Sequence, residues 1–458
     1  MERFVLGNRA ALQDHIQQHQ EIHVVMGNEA CDLDSAVSAL ALAYFLAQTT
    51  PAPKAAFVPV LNIPRADFAL RTETAFLLRE RGIPAASLLF RDEIDLGRLH
   101  HAGLLSLTLV DHHVLPGADA ALEEAVVEVL DHRPLERARG PPCQVTVEPV
   151  GSCATLVTER ILQGPPGVLD RTTAALLHGT ILLDCINLKP AAGKVTPRDV
   201  ACVSLLEERF PELPPRDAVF GALHAAKFDV TGLTTEQMLR KDLKVLSNDE
   251  AVVAISGVFE DLETFLLRPG LLQDLEAFCQ ARGYAGLVAM TVSFNEHHEP
   301  TRKLAVYSPQ EPLRSTVSQG ATFGAHPALL CPRTSQCWGC WAGPSPSLAP
   351  PQLCRALEEA TAPSLLLRPL PSPWPSVAAY AQGNAVATRK KVLPILRAAL
   401  GGLGAAGGPE EEVVPPPTPM NSLVEECPLA QAVPPLCPQD VLERVSRIAA
   451  GQPPGSPK

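Results

Sequence analysis

No run in this sequence approaches the roughly 20 consecutive apolar residues that a membrane-spanning helix needs, so no such span is expected. The opening residues, MERFVLGNRAALQDHIQQHQEIH, lack a basic segment leading into an apolar core, and a secretory signal is not expected either. Positive charge is scarce: 38 Lys and Arg stand against 50 Asp and Glu, for a formal net charge of −12. That balance argues against a general binder of nucleic acid or of anionic membranes, but it leaves room for a local basic pocket that holds an anion. The 12 cysteines are scattered without the compact framework of a disulfide-stapled domain, which suits reduced thiols. These absences predict an intracellular protein, cytoplasmic and with nuclear residence also open.

What is present begins with length. A chain of 458 residues is too long for one typical core, and two domains plus extras are expected. With 46% hydrophobic and 19% charged residues, much of it can form ordinary globular structure. The 45 prolines are too many for a wholly compact chain and crowd into its last third, where irregular chain is expected.

Between residues 22 and about 190, short β-type runs alternate with helical ones. IHVVM (22–26), AFVPVL (56–61), SLLF (87–90), LSLTLV (105–110) and VVEVL (126–130) read as strands. SAVSALALAYFLA (35–47), TAFLLRERG (74–82), CATLVTERIL (153–162) and RTTAALLHGTILL (171–183) read as helices. Such alternation favours an α/β fold with a mostly parallel sheet covered on both faces, whose ligands bind beyond the carboxyl ends of the strands. FPELPPRD (210–217) reads as a hinge, because consecutive prolines cannot continue a helix. A second α/β unit follows, with strands near 251–259, 286–294 and 303–308 and a closing helix RKKVLPILRAAL (389–400). The expected organisation is a helical extension over 1–20, a first domain over 21–209, a linker over 210–217, a second domain over 218–400 and a disordered tail over 401–458. Within the tail, DVLERVSRIA (440–449) has an amphipathic helical pattern. The stretch 318–353 follows no helix or strand period and carries six prolines, three cysteines and a single charge, Arg333. It reads as a retained intron or an unusual insertion loop, and the Cys337–Cys340 pair lacks the second pair that a zinc site needs.

Three acidic clusters fall just after strands of the first domain: Asp32-Leu33-Asp34, Asp111-His112-His113 and Asp131-His132-Arg133. A fourth acid, Asp184, ends the otherwise apolar helix of HGTILLDC. Carboxylates beside apolar segments are costly unless paired or bound to cations. Gathered at strand ends, with His132 as a nitrogen donor, they make a site for hard divalent ions. The mixed oxygen and imidazole set favours Mn²⁺ or Mg²⁺, with Co²⁺ accepted in vitro. Taken singly, each cluster also reads as strand-end acids that cap helices; it is the four together that point to metal.

GNEACDLDS, LVDHH, VLDHRP and ILLDC resemble the four motifs of the DHH phosphoesterase superfamily. Their spacing is similar to that of family II inorganic pyrophosphatases, and their details to the animal prune exopolyphosphatases. The resemblance covers about residues 20–317 and 354–400 and implies a DHH domain, a DHH-associated domain and an active site in the cleft between them. It implies that Asp32 holds one of two divalent cations and Asp34 the other. Asp111 would bridge them, with His132 and Asp184 completing the second site. Asn28 stands where the pyrophosphatases have a metal-binding His, and Asp131 would orient His132. Lys227 and the triplet Arg389-Lys390-Lys391 resemble the phosphate-binding Lys and basic motif of the pyrophosphatases. That triplet also reads as an exposed basic helix start. Gly151-Ser152 offers either a helix N-terminus for an anion or an ordinary Ser cap.

The implied activity is two-metal hydrolysis of short inorganic polyphosphate, and of pyrophosphate, with Asp111 bridging the ions and Arg133, Lys227, Arg389 and Lys390 neutralising phosphate charge. Hydrolysis of cyclic nucleotides or short oligonucleotides is the alternative within enzymes. The alternative outside them is an interaction protein that binds nucleoside diphosphate kinase, the partner implied by the resemblance, through its C-terminal tail.

Overall fold

The computed structural model describes residues 1–51, 55–135, 143–190, 193, 195–248, 251–294, 300–309 and 350–401. The helix expected over 440–449, the tail beyond 401, the Cys337–Cys340 pair and residues 318–349 of the atypical stretch lie outside the described residues.

The chain begins with α1 (Glu2–Gln17), β1 (Ile22–Met26), α2 (Leu33–Thr49), β2 (Ala56–Val60), α3 (Thr72–Glu80) and α4 (Leu96–His101). It continues through β3 (Leu105–Val110), β4 (Val126–Asp131), β5 (Gln144–Val147), α5 (Cys153–Leu162), α6 (Arg171–Asp184), α7 (Pro197–Arg209) and α8 (Arg216–Phe228). The five strands form one parallel sheet in the order β2-β1-β3-β4-β5. β1 and β3 are near-continuous apolar runs because helices cover both faces of the sheet. α2, α5 and α6 pack on one face and α4 on the other, while α1 contributes Val5 to the first of these cores and Leu12 to the second. Pro59 fits into β2 because that strand lies at the sheet edge, where a missing N–H costs no ladder bond.

The second sheet is built from β6 (Leu243–Ser247), β7 (Val252–Val258), β8 (Gly286–Phe294), β9 (Pro300–Tyr307), β10 (Leu367–Leu370) and β11 (Val377–Gln382). Its order is β10-β11-β9-β8-β7-β6, antiparallel except for the β7–β8 pair. One face carries α9 (Thr235–Lys241), α10 (Leu262–Leu266) and α11 (Leu271–Arg282); the other carries α12 (Pro350–Glu358) and α13 (Arg389–Gly401). Among the described residues no helix is long and apolar enough to cross a membrane.

Three expectations change. SLLF is not a strand: Ala85–Ser87 forms a 3-10 turn closed by the Ser87 hydroxyl on the Pro84 carbonyl at 2.7 Å, and only Phe90 bridges to Leu61. The linker 210–217 does not separate the cores, because α8 beyond it still packs on α3 and α6, with Leu223 buried in the first core. The change of core comes at Phe228, which touches both. The atypical stretch ends earlier than read: α12 starts at Pro350, and Leu353 is buried in the second domain.

Candidate metal centre

β1, β3 and β4 all end at the same edge of the sheet, so the loops after them converge. After β1 the chain passes Gly27, where any side chain would collide: a Cβ there would lie 2.6 Å from that of Ser35. That close approach sets the Asn28–Asp32 turn against the start of α2. Asp32 then caps α2, accepting the Ser35 amide at 3.0 Å, and Asp34 falls in the first turn of the helix.

After β3, Asp111 adopts a left-handed backbone with φ 59°, a conformation that Asp tolerates better than most residues. Its amide donates to the Leu130 carbonyl at 2.9 Å, and its carboxylate turns into the site. One carboxylate oxygen accepts from Asn28 Nδ2 at 2.9 Å and from Ser35 Oγ at 2.6 Å. The other meets His132 Nε2 at 3.2 Å and Arg133 Nη2 at 3.0 Å. Burial works against its charge, but the His132 hydrogen bond and the Arg133 charge hold Asp111 below the usual carboxylate range.

His132 is fixed from behind. Its Nδ1 donates to the Val150 carbonyl at 2.9 Å, so Nε2 faces the carboxylates. Nε2 lies 3.8 Å from Asp34, and the ligand atoms of Asp34, Asp111 and His132 all fall within 4.8 Å of one another. Burial alone would discharge the ring; Asp111 and Asp34 instead push it up to about 10, so here it is an imidazolium whose Nε2 proton a metal would replace.

The remaining acids are poised close by. Burial, then the charges of Asp111 and Asp184, push Asp32 up to about 7. The same three influences, burial foremost, raise Asp34 well above its ordinary range. Asp184 is raised chiefly by burial, against the pull of Lys227, and its Oδ2 is buried without a hydrogen-bond partner. Beyond Asp184, residues Ile186, Asn187 and Leu188 all hold positive φ, a strained return at the end of α6. Excess buried negative charge, an orphaned carboxylate oxygen and an imidazole anchored through its far nitrogen together fit divalent cations.

The geometry sorts the expected residues. Asp34, Asp111 and His132 are brought together; Asp32 and Asp184 lie within electrostatic reach but outside that trio. Asn28 does not present its oxygen as a ligand: Oδ1 accepts the amides of Ala30 and Cys31 at 2.9 and 3.2 Å, while Nδ2 serves Asp111. That pattern also fixes which side-chain atom is nitrogen. Asp131 does not hold the His132 ring. It accepts the His132 amide at 2.7 Å and His113 Nδ1 at 2.6 Å, so it fixes the loop instead. Ser152 makes no side-chain cap bond; the first amides of α5, from Cys153 and Ala154, instead donate to the Asp34 carboxylate at 2.7 and 2.8 Å, so the helix N-terminus holds an anion from the chain itself.

Arg133 lies across Asp111, with its side chain 39% exposed. Lys227 is buried and acts electrostatically on Asp184. Arg389 is paired with Asp242 at 2.9 Å, both groups buried. Lys390 is exposed on α13. The sequence reading assigned no role to Ser35, to the Val150 carbonyl or to Lys241, whose Nζ donates to Leu70 O at 2.7 Å and Thr72 Oγ1 at 2.9 Å across the domains. Ser35 sits inside the GNEACDLDS motif, where its place beside the acids is a readable signal; a backbone carbonyl leaves none.

The DHH family N-terminal domain matches residues 23–181, and the DHHA2 domain matches residues 221–399. Exopolyphosphatase PRUNE1 of Bos taurus is 49% identical over 99% of this chain and 98% of its own length. Its Homo sapiens counterpart is 48% identical over the same shares. A cobalt-dependent inorganic pyrophosphatase from Clostridium perfringens is 29% identical over 36% of this chain and 30% of its own. Two consecutive domains and near end-to-end similarity agree with the strand-end acids, and the chain belongs to the DHH family together with the PRUNE1 proteins it matches.

Proposed function

We propose that this protein is a phosphohydrolase dependent on two divalent cations that acts on short inorganic polyphosphate and on pyrophosphate. The observation that carries the reading is the meeting of Asp34, Asp111 and His132 within 4.8 Å, beside the cations Arg133 and Lys227. The names of the PRUNE1 relatives and of the cobalt-dependent pyrophosphatase support the substrate class and the need for a divalent ion. Asp34, Asp111 and His132 would hold one ion, with Asp32 and Asp184 completing a pair of sites. The oxygen-rich donor set suits Mg²⁺ or Mn²⁺, with Co²⁺ accepted. Bound there, the ions supply Lewis-acid charge to phosphoryl oxygens and acidify a water nucleophile.

The chain's own residues set the stage. Asn28 and Ser35 orient the Asp111 carboxylate, and His132 and Arg133 hold it ionised. Val150 keeps His132 Nε2 turned inward. Arg133 is exposed enough to leave Asp111 for an incoming phosphate, where its planar donors suit two oxygens at once. Lys227 adds a point charge from the end of α8, where the two cores meet. Phosphate release from tripolyphosphate by purified protein, measured with Mg²⁺ and with Mn²⁺, tests the reading. Release should be abolished by EDTA and by Asp111→Ala; a wild-type protein inert with both metals would overturn it.

A further inference from the structure

The corner between the 3-10 turn Arg65–Leu70 and α3 carries three neighbouring buried polar atoms without hydrogen-bond partners: Arg71 Nε, Glu73 Oε2 and Thr74 Oγ1. Such atoms are rare in folded proteins, and each calls for an explanation. Glu73 has one: the Lys241 ammonium lies 4.0 Å from Oε2, both groups being buried. Arg71 has none. Among the described residues its guanidinium makes no hydrogen bond and no ion pair, although Arg usually finds a carboxylate when half-buried.

Its position is informative. The Arg71 charge acts on Cys31, the residue just before Asp32, so it reaches the loop that begins the metal centre. It also acts on Lys241, on which the Lys227 charge acts too. Lys227 in turn acts on Asp184. Lys241 Nζ donates to Leu70 O and Thr72 Oγ1, the neighbours of Arg71 on either side, and Thr72 Oγ1 donates to the Lys227 carbonyl at 3.3 Å, so Arg71, Lys227 and Lys241 gather at one junction of the fold. Glu73 is the acid nearest Lys241, and Asp242 is bound to Arg389. A gathering of cations beside the metal loop, one of them a guanidinium whose buried Nε has no hydrogen-bond partner among the described residues, matches an anion with several oxygens.

We propose that Arg71 is a phosphate-contacting residue contributed by the first domain, gripping phosphoryl groups of polyphosphate beyond those held at the metals. This rests on the hydrolase reading given above. Pyrophosphate has no phosphate beyond the reacting pair, so Arg71 sets a preference for longer chains.

The test is steady-state kinetics of wild type, Arg71→Ala and Arg71→Lys on pyrophosphate, tripolyphosphate and tetrapolyphosphate. Thermal melts and calorimetric Mn²⁺ titrations accompany them. Loss of a charge-assisted contact should raise KM for the two longer substrates roughly 10- to 100-fold in Arg71→Ala, with kcat and Mn²⁺ affinity little changed. Pyrophosphate should respond far less, and Arg71→Lys should recover only part of the loss. Equal KM changes on all three substrates, or a fall in melting temperature that accounts for the loss, would show a structural role and overturn the proposal. If wild type releases no phosphate, the parent reading fails by itself. Calorimetric binding of tripolyphosphate then decides Arg71 separately: weaker binding by Arg71→Ala supports it, and equal binding or none refutes it.

Discussion

Asn28 donates its side-chain amide to Asp111 Oδ2 at 2.9 Å while its oxygen is spent on the turn that leads to Asp32. The residue thus couples two acid-bearing loops without offering a ligand atom. Placing His there puts an imidazole where the amide meets Asp111, and a ring nitrogen is a strong donor to Mn²⁺. Asn28→His should tighten Mn²⁺ binding in calorimetry and improve pyrophosphate turnover relative to tripolyphosphate. An unchanged titration together with an unchanged substrate ratio would mean that position 28 serves only to hold Asp111.

Asp34→Asn separates metal binding from folding. The carboxylate accepts the Cys153 and Ala154 amides, so an amide replacement loses part of the α5 cap, worth about 1 kcal/mol. It also removes a buried charge that neighbouring acids make costly. These effects oppose each other, so the metal-free variant should melt within a few degrees of wild type. Adding Mn²⁺ should raise the wild-type Tm by mass action and leave the variant's almost unmoved. Equal metal-induced shifts in both proteins would remove Asp34 from the site.

Much of the fold and of the site is legible in the sequence for physical reasons. LSLTLV and VVEVL are apolar because both faces of their sheet are covered, and an acid directly after such a run is conspicuous. β5 was missed because its QVTV residues are only partly covered at the sheet edge and carry no strong pattern. SLLF suggests a strand because a short apolar run has the same appearance in a strand and in a buried turn. The choice of Val150 O over Asp131 as the partner of His132 Nδ1 depends on two loops meeting in space, and residue identities alone do not encode it. The role of Asn28 followed the same course: its place in the motif was readable, but the direction of its amide was not.

Lys241 ties the domains together. Burial pushes it down to about 8, yet it donates to Leu70 O and Thr72 Oγ1 and stands 4.0 Å from the buried Glu73. Lys241→Met keeps most of the volume but strands Glu73, a loss of about 3–5 kcal/mol for one half of a buried pair. Chemical denaturation should show that loss, and adding Glu73→Gln should restore part of it. A single variant as stable as wild type would mean that the pair contributes nothing to docking.

The metal-stripped protein should lose stability as pH rises through the range where most proteins are steady. Asp32 has an ordinary value of 3.8 and a folded value of about 7. Between those values the folded state binds a proton that the unfolded state has released, so stability must fall with rising pH. Asp34 is shifted in the same direction and adds to the slope. His132, raised from 6.5 to about 10, contributes stability that is complete below 6.5 and lost on the way to 10, continuing the decline above neutrality. Bound cations reverse the preference, because they bind the ligands in their deprotonated forms and compete with those protons. Thermal melts in EDTA should therefore fall steadily from pH 5 to pH 7, while the gain on adding saturating Mn²⁺ grows over the same interval. A flat EDTA profile, with a metal-induced gain independent of pH, would mean that the acids are not crowded as the structure places them.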